Sequence, residues 1–234
     1  MSKEARNKAA LGLALAVTLL SAPTRESHAA VALAASGRVS ARNAANVTTM
    51  LNVPASTNAV LLVGVSVPAA ATGLQITWDG VPLTRLSSTS AAPASCRVEI
   101  WYLPDPVSGN RRLNVTLGAL SAFSVGAAVF SGVDRTSAPA VVPNLGSSTL
   151  ISITAAATPI AGLFGAACAS GNDNRGGAAA AGQTVLWDAT EPNVVGLGAY
   201  RLLSPWQISW TLQTATSWAS AGVVLNEAGG QPAP

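Results

Sequence analysis

The chain predicts an all-β fold, a two-sheet antiparallel β-sandwich of jelly-roll-like form preceded by an N-terminal signal helix. Three observations predict it. Runs with period-two alternation recur from Asn58 to Asn226, clusters of glycine, proline and serine separate them, and helix-period patterns are almost absent beyond the leader. The separating loops suit hairpins and are too short for the helical crossovers of a parallel sheet.

Residues 1–29 read as a secretory signal peptide. Lys3, Arg6 and Lys8 form a charged start, Ala9 to Ala22 an apolar run too short for a comfortable membrane span, and Pro23 ends the helix. Ser27 and Ala29 have the small side chains of a cleavage site, which places the cut after Ala29, and Ala32 with Ala34 offers a second place. Residues 30–228 form the sandwich domain. Residues 229–234, rich in glycine and proline, form a frayed tail.

Within the domain, Asn58 to Val67 places Leu61, Val63, Val65 and Val67 on one face and Val60, Leu62, Gly64 and Ser66 on the other. Both faces are largely apolar, which marks a central strand. Leu74, Ile76 and Trp78 alternate with polar residues, and Asp79-Gly80 turns the chain into a return strand from Val81 to Leu86. Arg97 to Leu103 follows, with Val98, Ile100 and Tyr102 facing one way and Arg97, Glu99, Trp101 and Leu103 the other. Further strands are read at Leu113–Leu117, Ala122–Ser131, Thr149–Ala155, Ile160–Ala169, Gln183–Asp188, Gly198–Leu202, Trp206–Leu212 and Trp218–Asn226. Alanine-rich stretches at Ala155–Ala169 and Ala178–Ala181 leave room for one short helix or turn, although several glycines weaken it.

Charge and residue usage narrow the chemistry. Of thirteen basic residues, Lys3, Arg6, Lys8 and Arg25 precede the expected cut and leave nine, all arginine; ten acids less Glu4 and Glu26 leave eight, so the net charge falls from +3 to +1. The arginines are scattered and only Arg111 and Arg112 adjoin, which argues against nucleic acid. The single histidine, His28, also lies in the leader. A Ser-His-Asp triad and the usual zinc-hydrolase ligand sets therefore have no imidazole, and no cofactor is implied.

Cys96 and Cys168 fit one bridge in an oxidising compartment, with two separate buried thiols as the other reading. The bridge closes a long loop and would stabilise the fold by about 4 kcal/mol on the chain-entropy view.

In order along the chain, NAVLLVGVSV, ITWDGVPLTRL, VEIWYLPDPVSGN, VFSGVD, QTVLWDA and ISWTLQTATSWASAGVVLNEA cover roughly residues 46 to 228. This sequence of blocks resembles a widespread set of secreted bacterial β-sandwich modules, found alone or joined to other extracellular domains. The resemblance implies a jelly-roll-like sandwich outside the cytoplasm and carries over no catalytic residue. The alanine-rich region from Ala155 to Ala181 and the two cysteines depart from it.

Candidate sites follow from what remains. Trp101 shares a strand face with Arg97 and Glu99, and a flat aromatic surface flanked by charged hydrogen-bonding groups is what a sugar platform needs. Trp78, Trp206 and Trp210 lie on apolar alternations and read as core. Of the eight acids, Asp79, Glu99, Asp105, Asp134, Asp173, Asp188, Glu191 and Glu227, only Glu99 is mid-strand beside an aromatic. It is the one acid on which a carboxylate-based glycosidase would centre, given a second carboxylate at about 5–5.5 Å for a retaining mechanism. Asn172, Asp173 and Asn174 after Gly171 cluster oxygen ligands for calcium, without the spacing of a known loop motif. The functional expectation is an exported, non-enzymatic binding or interaction module. A glycan or cell-surface component is the leading partner, and self-association through exposed strand edges is the alternative.

Overall fold

A computed structural model describes residues 30–90, 96–136, 138–156, 160–171 and 177–229. The expected signal segment, the Asn172–Asn174 cluster and most of the expected tail lie outside the described residues. The described chain forms strands and no helix, in two antiparallel sheets. This is the sandwich that the alternation predicts.

The strands are β1 (Ala32–Val53), β2 (Val60–Pro68), β3 (Gln75–Trp78), β4 (Val81–Pro82), β5 (Thr84–Ser90), β6 (Cys96–Pro104), β7 (Gly109–Ser131), β8 (Val141–Thr154), β9 (Gly162–Ala169), β10 (Gly177–Ala179), β11 (Thr184–Glu191), β12 (Val194–Arg201) and β13 (Gln207–Leu225). The first sheet runs β1-β7-β2-β6-β5, with β3 and β4 added beside the first part of β7. The second runs β8-β13-β9-β12-β11, with β10 beside the first part of β13. Each half of the chain thus builds its own sheet, and both use the same strand order. The sheets stack so that β1 lies over β11 and β5 over β8.

Three apolar cores result, and strand alternation explains them. Leu62, Ile100 and Phe130 of the first sheet meet Phe164, Ala166 and Trp187 of the second in the central core. The other face of β2, Leu61 to Val67, packs with Leu51, Ile76, Trp78, Leu113 and Val115, which belong to the first part of β7 and the strands beside it. The outward face of β9 is covered in the same way by Ile151, Ile153, Ile208 and Trp210. This covering requires the long strands to bend. Register shifts accompany the bends, between Ala41 and Asn46 on β1 against β7 and between Thr211 and Thr216 on β13. Hence Leu113–Leu117 and Ala122–Ser131, read from sequence as two strands, are one continuous strand, and the expected strands Trp206–Leu212 and Trp218–Asn226 likewise merge into one that runs from Gln207 to Leu225.

Alanine does not make a helix at Gly162–Ala169. That segment pairs on both sides, with β12 and β13, and all eight residues are buried, so sheet pairing overrides the intrinsic helix preference. Cys96 on β6 and Cys168 on β9 form a disulfide with Cα atoms 6.2 Å apart. It joins the two sheets inside the central core.

Candidate functional site

Strand β6 does bring Arg97, Glu99 and Trp101 together, as its alternation requires, but turns them toward one another. Glu99 is 1% exposed. Its Oε1 accepts from Arg97 Nε at 2.8 Å and its Oε2 from Trp101 Nε1 at 3.1 Å. Arg85 stands 3.8 Å from Oε2 and Ser88 donates weakly to Oε1 at 3.5 Å. The two ends of the Arg97 guanidinium donate to the Ala69 and Ala71 carbonyls at 2.8 Å each. Burying a carboxylate is costly unless its oxygens are paired, and here the partners are two arginines and an indole. A carboxylate so occupied presents no free oxygen to a substrate.

Trp101 is 9% exposed and packs in the core that covers the outer face of the first sheet. Arg85 lies over its ring, 6.0 Å from the centroid. A sugar platform needs an open ring face, and the face of Trp101 is taken. Trp78, Trp187, Trp210 and Trp218 are also buried, and Trp206 is half-buried.

A different place on the molecule has the shape of a site. At the seam where β1 of the first sheet lies over β11 of the second, a cleft of about 450 Å³ opens between the sheet edges. Arg38 and Ser40 line it from β1, and Trp187, Asp188, Thr190 and Glu191 from β11. Ligand clefts commonly measure ~300–1,000 Å³.

The position of Trp187 follows from three glycines. A Cβ on Gly126 would come within 1.9 Å of the indole, one on Gly198 within 2.0 Å and one on Gly64 within 2.7 Å. Only glycine lets the ring lie flat against β2, β7 and β12. Glu191 is held by its Oε1, which accepts from Ser40 Oγ at 2.6 Å, while Oε2 lies 3.5 Å from Arg42 Nε. The Glu191 side chain is 10% exposed and that of Arg42 80%, so the pair reaches from the cleft to solvent. Asp188 Oδ2 accepts from the Gly177 amide at 3.3 Å. Partial burial pushes the Asp188 carboxyl above the usual carboxylate range, and the Gly177 amide and Arg38 oppose the shift.

By sequence alone Asp188 and Glu191 are ordinary acids beside turns. The sequence expectations also include no strand over Ala32–Val53, and so give Arg38 and Ser40 no position. Alternation of Val47, Thr49, Leu51 and Val53 is a strand signal for the second part of β1, whereas the alanine- and serine-rich first part offers little. Pro192-Asn193, with Asn193 at φ 64°, is the two-residue turn that joins β11 to β12 and was also legible.

Among the described residues, no group of three or more histidine, cysteine, aspartate or glutamate side chains is arranged to hold a metal, and no helix is long and apolar enough to cross a membrane. No family model, curated protein or solved structure matches this chain.

Proposed function

We propose that the protein is an exported, non-enzymatic interaction module that associates with a second copy of itself through the edge strand β8. One observation carries this reading. Each sheet ends in a long strand paired on one side only, and of the four long edges, β1, β5, β8 and β11, only β8 has no charged residue. Natural sheets protect such edges with charge, proline or bulges. Strand β1 has Arg38, Arg42 and several register shifts, β5 has Arg85, and β11 has Asp188 and Glu191. Strand β8 has Pro143 near its start and then Asn144 to Thr154, uncharged throughout, with Leu145 and Leu150 each 51% exposed.

Antiparallel pairing of β8 with β8 of a second copy would join two sheets about a twofold axis and cover both leucines. The inter-sheet disulfide supports an oxidising setting. The leader-like first residues and the resemblance to secreted modules support export. The non-enzymatic reading draws on the absence of histidine and lysine beyond the leader and on the paired state of Glu99.

Sedimentation across a range of concentrations tests the assembly. The wild-type chain is expected to dimerise, and Leu150→Lys, which places a charge on the exposed edge, is expected to be monomeric with the unfolding midpoint of the wild type at concentrations low enough to dissociate it. A wild-type chain that stays monomeric up to high concentration would overturn the reading.

A further inference from the structure

We infer that the β1–β11 cleft is a binding site for a neutral polyhydroxyl ligand, a carbohydrate, held by Arg38, Asp188 and Glu191 at the edge of the Trp187 indole. The fold does not require a charged opening here. Its counterpart on the other side of the sandwich, where β5 lies over β8, has Leu86 and Val141 packed against the central core. The two halves share one strand order, so the same seam closed with apolar side chains is an available solution. On the β1–β11 side the chain instead places two arginines, two carboxylates and hydroxyl groups.

Two side chains that line the cleft each carry a buried polar atom without a protein partner. Trp187 is 1% exposed, and its Nε1–H has no acceptor. Glu191 Oε2 is buried and receives no hydrogen bond, with Arg42 at ion-pair distance only. Buried donors and acceptors are ordinarily satisfied, and of the five left open among the described residues two belong to side chains that line this one cleft, where another molecule can supply the bonds.

Charge balance selects the ligand class. Arg38 and Arg42 offset Asp188 and Glu191, so a cation would meet the arginines and an anion the carboxylates. A neutral hydroxyl both donates and accepts. Hydroxyls on one ring can donate to Asp188 and Glu191 and accept from Arg38 and the Trp187 indole N–H, so one sugar ring supplies both halves of this mixed lining. Recognition runs through these polar groups and the edge of the indole, because the ring's faces are packed against glycines.

Saturation-transfer NMR and calorimetry with maltotriose, cellotriose and chitotriose test the site, with spermidine and inorganic phosphate as charged probes. At least one trisaccharide is expected to bind at millimolar concentration and to shift the indole N–H signal of Trp187, assigned by Trp187→Phe. Asp188→Ala and Arg38→Ala, both on the cleft's open side, are expected to weaken that binding tenfold or more with unchanged unfolding midpoints. Binding should be the same in Leu150→Lys, which separates this site from assembly through β8. Four results would each overturn the inference: no binding by any of the three sugars, binding by the charged probes alone, binding indifferent to both variants, or an unmoved Trp187 signal.

Discussion

At Glu99 a single residue shows how the same pattern serves two purposes. An acid in mid-strand, flanked at alternate positions by arginine and tryptophan, has the composition of a binding surface. Buried, it is an internal hydrogen-bonding node that ties β6 to Arg85 on β5 and, through Arg97, to the carbonyls of the chain after β2. Hydrogen bonds to a charged group contribute ~1.5–3 kcal/mol each, and leaving one partner buried alone adds to the loss. Glu99→Gln keeps the shape but removes the charge that Arg97 and Trp101 bond to. It is expected to lower stability by about 2–3 kcal/mol in urea unfolding. A loss within error of zero would show that the node holds little.

Elements were legible where their sequences carry period-two alternation or a turn that demands particular backbone angles. Asp79 and Gly80 both have positive φ, 51° and 88°, and pair Trp78 with Val81 across a two-residue turn, as their identities predict. A Cβ on Gly80 would meet nothing within 4 Å. Gly80→Ala therefore isolates the backbone preference from packing, and thermal unfolding is expected to show a loss of about 1–2 kcal/mol. Strand β1 was not legible over its first part. From Ala35 to Arg42 small residues alternate with polar ones, but Val39 is the one strong strand former among them, and pairing with β7 along its length makes the segment a strand. The cleft residues Arg38 and Ser40 went with it, because a side chain has no location until its strand has a partner.

The whole molecule depends on holding two sheets face to face when each is built by a different half of the chain. Ser66 Oγ donates across the interface to the Ala167 carbonyl at 3.0 Å, and the Cys96–Cys168 disulfide joins the same two halves covalently. Their separation of 72 residues makes the loop long. Removing the bridge by Cys96→Ser with Cys168→Ser is expected to cost about 4 kcal/mol in denaturant unfolding. Non-reducing peptide mapping of the wild-type chain should show one bridged peptide pair. Two free thiols would refute the pairing and remove the reason for that loss.

The amino-acid sequence by itself determined the class of this protein: strands, which of their residues share a face, the Asp79-Gly80 turn and one pair of cysteines that one bridge could join. These are local properties, written in a two-residue period, in turn chemistry and in composition. Only the tertiary structure decided which faces meet water. Alternation assigned Trp101 and Glu99 correctly to one side of β6, but the bent strands cover that side with a further apolar layer, and a period of two cannot report whether a second layer lies above it. The cleft was decided in the same way. Its residues are some 150 positions apart in the chain, Ser40 and Glu191 differing by 151, and only the stacking of two sheets brings them within a hydrogen bond.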